Sequence, residues 1–469
     1  MSSPPADRHH DLVIIGSGSG NSIPSTELEH LDIALVEGGT FGGTCLNVGC
    51  IPTKMFVHPA HLAAATIDGP PVDVRLTLDD VNWPAMRDRI FGRIDPISHH
   101  GREYRAGPGT PNVTLYSAMA HFVGPKLLDT GAGSVVSADR FVIAAGSRAV
   151  VPPVPGLELG PRVRTSDTIM RLDELPRSTV IIGGGFIAAE FAAVFHAFGV
   201  EVHQLALSGL LKGHDASISA EFTRAAAAQW HLHTGIEIVC CQADDHGVTV
   251  TLGPDAAGEA VTLRADVVLV GTGRQPNSDR LDVAATGVAT DDRGYVLVDE
   301  FQRTNVEGIF ALGDVSSDLQ LKHVANHEMR VVRHNLAHPD AMIAADHRFV
   351  PSAVFTSPQI AMVGITEREA IDRGIPHVVA IQHYGGIAAG WAREDTTNFL
   401  KVLADPRTGF LLGAHAIGPE AATVIQPLIQ AMSFGQRAHD VARGQYWIHP
   451  ALSEIVENAL LALPLPTLD

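Results

Sequence analysis

Cys45 and Cys50 stand five residues apart in the run Gly42-Gly43-Thr44-Cys45-Leu46-Asn47-Val48-Gly49-Cys50-Ile51-Pro52-Thr53-Lys54. Thiols at that spacing suit a structural cross-link, a metal centre or a redox pair. The only other cysteines are Cys240 and Cys241, so the chain is not a disulfide-stapled scaffold. An iron–sulfur cluster or structural zinc needs four ligands, and His58 and His61 follow too closely for finger spacing, so no metal is expected here. What remains is a dithiol that opens and closes, activated as thiolate by a helix start or a neighbouring base. The vicinal Cys240-Cys241 reads as structural.

A second constellation lies near the C-terminus, in His449-Pro450-Ala451-Leu452-Ser453-Glu454. With 24 histidines in the chain, the default for any one of them is a surface or satisfied core residue. Here Pro450 is expected to start a helix without losing a needed N–H. Glu454 would then turn back to orient the imidazole and favour its charged form, making an acid–base pair suited to a thiol.

Both constellations need a scaffold. The apolar run 11–15 breaks into Gly16-Ser17-Gly18-Ser19-Gly20-Asn21, and the expected strand–turn–helix aims backbone N–H groups and a helix dipole at a pyrophosphate. The strand 33–36 closes on Glu37, about 20 residues beyond Gly16, where a carboxylate accepts bonds from an adenosine ribose. Asn21 replaces the third glycine of the usual fingerprint. A second unit runs from the strand 178–182 into Gly183-Gly184-Gly185-Phe186-Ile187-Ala188 and a helical 189–195, matching the fingerprint that ends in alanine. Two such units predict two dinucleotides in one enzyme.

Three more buried strands end at glycine turns, before Ala144-Ala145-Gly146, Gly271-Thr272-Gly273 and Gly313-Asp314, where backbone approaches a neighbour or ligand closely. The texture then changes. Half-alternating segments at 353–355 and 399–403, with helix-like stretches at 421–434 and 451–461, suggest an α+β cap built on an antiparallel sheet. The predicted fold class is α/β: two Rossmann-like dinucleotide-binding domains plus a C-terminal α+β domain. The expected boundaries are 1–150 and 276–345 for the first dinucleotide-binding domain in two parts, 151–275 for the second and 346–469 for the C-terminal domain.

Composition narrows the function classes. The net charge of −19 opposes binding to nucleic acid or anionic membrane and favours a cytoplasmic protein. The polar opening at 1–10 has no apolar signal core, and no run of about 18 apolar residues occurs, so no membrane span is expected.

In motif order these residues resemble the flavoprotein disulfide reductase family, which includes glutathione reductase, dihydrolipoamide dehydrogenase and mercuric reductase, over nearly the whole chain. Within it the mycothione reductases are most similar, on 38–41, 54–57, 321–328, 425–435 and 442–450; the C-terminal segments decide this, because dihydrolipoamide dehydrogenases are similar across 45–52. The resemblance implies a homodimer that uses NADPH and FAD to reduce a small-molecule disulfide, mycothione, to mycothiol. It makes Cys45 the thiol that attacks substrate, Cys50 the thiol against the flavin, and His449 with Glu454 an acid–base pair supplied by the other subunit. Lys54 and Glu190 match an ion pair at the flavin edge, Phe186 a shield over the nicotinamide pocket, Asp314 the acid at the ribityl–phosphate region and Glu37 the ribose ligand. Gly16, Gly18, Gly43, Thr44, Ala145, Gly146, Gly273 and Gly313 fall among the implied cofactor contacts, with Gly183, Gly185 and Ala188 in the downstream unit. Mercuric reductase normally carries a vicinal Cys pair at its C-terminus, and the run 463–469 has none.

One segment departs from its relatives. NADPH enzymes of the family place arginines after the second strand of the downstream unit to pair the 2′-phosphate. Here that region reads Val202-His203-Gln204-Leu205-Ala206-Leu207-Ser208-Gly209-Leu210-Leu211-Lys212, with no arginine near Leu207 and no acid at the strand end. Lys212 is the remaining cation, so NADPH use with measurable NADH use is expected.

Overall fold

The computed structural model describes residues 5–254 and 260–466; the polar start at 1–4 and the last residues of the tail, 467–469, lie outside them. The chain forms two compact units, Met1–Thr53 with Pro84–Val150 and Gly273–His347, and Lys54–Trp83 with Val151–Thr272 and Arg348–Asp469.

The first unit is built on a parallel sheet in the order Val113–Tyr116, Ile33–Val36, Arg8–Ile15, Val135–Ile143, with Ile309–Ala311 also parallel to the last of these. Leu12, Val13, Ile14 and Ile15 are all buried, as a parallel strand covered on both faces requires. Two antiparallel strands, His121–Gly124 and Leu127–Asp129, complete the sheet. The chain leaves through Ser147–Ala149 and returns through Arg274–Pro276, and these two segments pair antiparallel.

The helix expected after the first glycine turn does not form. A single 3-10 turn, Gly20–Ser22, stands there, followed by another at Thr26–Leu28. The cause is Pro24. It has no N–H to give the Gly20 carbonyl, which instead accepts Ile23 N–H at 3.0 Å.

The second unit holds a five-stranded parallel sheet in the order His231–Thr234, Glu201–Ala206, Ser178–Ile182, Val267–Val270, Val163–Thr165. The helix Phe186–Ala197 follows the downstream glycine turn as expected. Ile238–Asp244, Gly247–Pro254 and Ala260–Ala265 form a small antiparallel sheet. Cys241 is buried in the apolar cluster beside it, and burial pushes its thiol up to about 11, which agrees with a structural role. The C-terminal part is an antiparallel sheet in the order Ser352–Val354, Gln359–Gly364, Leu411–Gly418, Phe399–Ala404, Val378–His383. The helix-like stretch 421–434 resolves into Ala421–Val424 and Gln426–Ser433, and the last helix is Glu454–Leu461. No described helix is long and apolar enough to cross a membrane.

Phe399–Ala404 is buried on both faces, and that includes Lys401. Its Nζ lies 2.9 Å from both carboxylate oxygens of Asp215 and 2.6 Å from Glu367 Oε2. Asp215 also caps the helix Ala216–Gln229. Burial opposes its charge, but hydrogen bonds from Ser217 and Lys401 overcome this and hold the carboxyl at about 2. That contribution to stability is full above the ordinary carboxylate value of 3.8 and is lost as pH falls toward 2. Lys401→Met leaves a buried carboxylate without its main cation and is expected to cost about 3–5 kcal/mol in urea unfolding at neutral pH. The variant should also lose most of this acid dependence. A loss under about 1 kcal/mol would mean that water reaches Asp215.

Candidate active site

Cys45 lies half-buried in the short helix Gly43–Asn47, and Cys50 is exposed as the first residue of the helix Cys50–Ala63. A helix N-terminus favours a thiolate at Cys50. The two thiols interact directly. The hydrogen bond to Cys50, with burial, holds the Cys45 thiol far above the ordinary range, while Lys322 pulls the other way. A base close to Cys45 would favour its thiolate.

The loop is fixed from beneath. Asn47 Nδ2 donates to the carbonyls of Phe41 and Gly43, both at 3.0 Å, and Ser98 Oγ donates to Phe41 O at 2.6 Å. Ser17, fully buried between the fingerprint glycines, donates through N and Oγ to Glu37 Oε2 at 2.8 and 2.6 Å. It also accepts from Gly42 N–H at 2.8 Å. One serine thus ties the nucleotide turn, the expected ribose carboxylate and the cysteine loop together. Sequence reasoning named neither Ser17 nor Asn47; a hydroxyl between two fingerprint glycines was the available signal. Lys322 was read only as part of a resembling segment, and its Nζ donates to Ser19 Oγ at 2.8 Å.

The glycines of the first unit lie backbone against backbone. Gly16 has φ +108°, and a Cβ there would sit 2.2 Å from Ala144 O; a Cβ on Gly43 would sit 2.7 Å from Gly18 Cα. Thr44 follows, exposed. Such a turn presents N–H groups without side-chain obstruction, so it fits a dinucleotide phosphate even without the missing helix. Asn277 joins the exit and return strands: its N–H donates to Gly146 O at 3.0 Å and its Nδ2 to Ala145 O at 2.8 Å. Gly273 accepts from Val150 N–H at 3.0 Å. Asp314, in the 3-10 turn Gly313–Val315, accepts from Ser147 Oγ at 2.6 Å, and Gly313 N–H is held by buried Glu328.

In the second unit, Gly185 caps the helix Phe186–Ala197 without a side chain, and the space at its Cβ is open. The N-terminal N–H groups of that helix are left for an anion, which fits the second dinucleotide. A Cβ on Gly183 would meet Gly271 O at 2.2 Å, and Ala188 packs against both glycines, so alanine at the third fingerprint position is the size limit. Phe186 is 43% exposed. Lys54 Nζ lies 2.7 and 2.5 Å from the two carboxylate oxygens of buried Glu190, which also accepts Phe355 N–H at 2.9 Å. Leu207 is 62% exposed; Lys212 is exposed and forms no ion pair among the described residues.

His449 Nδ1 lies 2.5 Å from Glu454 Oε1, with the imidazole exposed and the carboxylate largely covered. The route to this pair differs from expectation. Pro450 follows a cis bond and does not start a helix; the helix begins at Glu454 itself, after a turn in which Ala451 N–H donates to Glu454 Oε2 at 3.2 Å.

Residues 10–329 match the family described as pyridine nucleotide-disulphide oxidoreductase, and residues 350–460 match its dimerisation domain. The chain belongs to that family. It is 50% identical to a mycothione reductase of Mycobacterium tuberculosis over 97% of this chain and 99% of that one. It is 33% identical to a dihydrolipoyl dehydrogenase of Haloferax volcanii, with 96% of each covered. Among solved structures it resembles the HOCl-induced flavoprotein disulfide reductase RclA from Escherichia coli, with TM-score 0.83 and 27% identity over 96% of this chain and 99% of that one. As a pyridine nucleotide-disulphide oxidoreductase the chain is an enzyme of the mixed α/β fold, and its C-terminal antiparallel sheet is the dimerisation domain.

Proposed function

We propose that this pyridine nucleotide-disulphide oxidoreductase uses NADPH and FAD to reduce mycothione, the disulfide of a cysteinyl pseudo-disaccharide, to mycothiol in the cytoplasm. The observation that carries the substrate is the half-identity to the Mycobacterium tuberculosis enzyme across essentially both full chains. The dihydrolipoamide dehydrogenase reading rests on a third of the residues.

Bound FAD and NADPH supply two-electron reduction of the Cys45–Cys50 disulfide. We assign the first-unit glycine turns, Glu37 and Asp314 to FAD; Gly183, Gly185, Phe186, Ala188 and Lys212 to NADPH; and the Lys54–Glu190 pair to the flavin edge. In the thiol half, His449 takes the Cys45 proton and Cys45 Sγ attacks one substrate sulfur. This forms a mixed disulfide and releases a thiolate that His449 protonates. Cys50 then attacks Cys45 Sγ, closing the enzyme disulfide and releasing the second thiol. The hydrogen bond to Cys50 and burial both hold the Cys45 thiol up, and a base beside it, the role given to His449, favours the attacking thiolate. We place that base on the partner of a homodimer, and the exposed Tyr446 and Ile448, which closely precede His449 in the chain, suit burial in such an interface.

NADPH oxidation measured side by side with mycothione, oxidised glutathione and lipoamide tests the substrate. The highest kcat/KM is expected for mycothione; a higher value for lipoamide overturns the assignment.

The loop at Leu207 sets cofactor preference. With Lys212 as the assigned cation for the 2′-phosphate, NADPH is favoured and NADH still works. Leu207→Arg is expected to sharpen the preference for NADPH mainly through KM, since the 2′-phosphate lies remote from hydride transfer. A wild-type kcat/KM for NADH above that for NADPH would reverse the assignment.

A further inference from the structure

The outer edge of the parallel sheet in the second unit carries a cluster that the redox chemistry does not use. The strands Glu201–Ala206 and His231–Thr234 pair in parallel, with His203 opposite His231 and Leu205 opposite His233. Alternate residues share a face of a strand, so Glu201 and His203 come to one side, as do His231 and His233. Glu201 Oε1 lies 3.4 Å from His203 Nε2, and His203 Nδ1 lies 3.1 Å from His233 Nε2. One donor atom from each of Glu201, His203 and His231 falls within 4.8 Å of the others.

We propose that Glu201, His203 and His231 form a binding site for a divalent transition-metal ion, with His233 as the outer partner that orients His203. The division of roles follows from the contacts. His203 Nδ1 is occupied by His233, which leaves Nε2, the nitrogen beside Glu201, to face the ion. A ring fixed through its far nitrogen is the usual condition of a metal-bound imidazole. Two imidazoles and one carboxylate suit zinc, copper or nickel, whereas magnesium and calcium prefer all-oxygen shells. Three protein ligands leave a fourth position for water, and exposed Glu201 and His231 open that position to solvent.

Closing on the ion requires a small movement. Tetrahedral bonds of about 2.1 Å place donors about 3.4 Å apart. His231 is stacked on His203 with ring centroids 4.6 Å apart. Its exposed ring must swing out of that stack, and exposed side chains change rotamer readily. The bound ion would clasp the four-residue edge strand to Glu201–Ala206.

The test uses the FAD-loaded, metal-stripped enzyme with the Cys45–Cys50 disulfide closed, so that thiolates do not compete. Zinc chloride is titrated against a chromophoric chelator. One Zn²⁺ per chain is expected, and His231→Ala and Glu201→Gln should each weaken it by at least the roughly 10–100-fold that loss of an outer partner costs. His233→Ala should fall in that range, and His246→Ala, exposed in the turn between Ile238–Asp244 and Gly247–Pro254, should bind as wild type. Both ligand positions are exposed, and retained FAD content confirms that the variants fold. No stoichiometric uptake, or wild-type affinity in either His231→Ala or Glu201→Gln, overturns the proposal.

Discussion

Replacing Cys45 by Ser is expected to lower disulfide turnover by several orders of magnitude while leaving FAD bound. The serine hydroxyl is a poor substitute for the attacking sulfur, and loss of a nucleophile removes the steps that depend on it together. Cys50 stays at its helix N-terminus, where a thiolate is favoured, and the assigned position against the flavin should then give a long-wavelength charge-transfer band without full reduction. Absorbance spectra of the purified variant, with a turnover assay, read both consequences. Near-normal turnover would show that the thiol chemistry has been assigned to the wrong residue.

His449→Ala should slow the steps that involve substrate thiols by roughly 10²–10⁴-fold, the usual cost of a positioned acid–base group. Reduction of the enzyme by NADPH should be nearly unaffected. Stopped-flow measurement of the two halves separates them, and equal slowing of both would place His449 outside the thiol chemistry. Mixing Cys45→Ser and His449→Ala protomers also tests the shared site. Random exchange in a two-fold dimer makes half the dimers hybrid, each with one intact site, so about a quarter of the activity should return. Hybrids without recovery would put both residues of a site in one chain.

What was legible in the sequence was whatever is local. The buried parallel strands announce themselves as unbroken apolar runs, and the downstream glycine turn with its helix is spelled out by consecutive residues. The members of the cysteine pair and of the His449–Glu454 pair are each five residues apart, so one short run of sequence shows both members of each pair. Local reading failed where one residue vetoes a pattern. Pro24 removes the N–H that an α-helix after Gly20 would need, and Glu454 accepts Ala451 N–H in a turn that delays the last helix beyond Pro450.

Reading also failed where strand pairing makes the neighbours. Glu201 and His203 meet His231 only because two strands some thirty positions apart lie side by side. Lys401, in an otherwise apolar strand, gave no sign that its partner was Asp215. The Ser17 hydroxyl, between two fingerprint glycines, holds Glu37 and the cysteine loop at once, through partners 20 and 25 positions away.

The interleaving of the first unit bears on how the chain must be made. Its sheet is unfinished until Ile309–Ala311 has been translated and laid along Phe141–Ile143, and Asp314 must arrive before Ser147 has its acceptor. At about 5–20 residues per second the ribosome needs roughly 15–60 s to reach that point. For roughly the second half of that interval, once Phe141, Val142 and Ile143 have been made, the nascent chain carries them as an open strand edge, the kind of edge that pairs with other chains. Messages truncated upstream of residue 309 would therefore yield aggregating fragments, not a small flavin-binding domain.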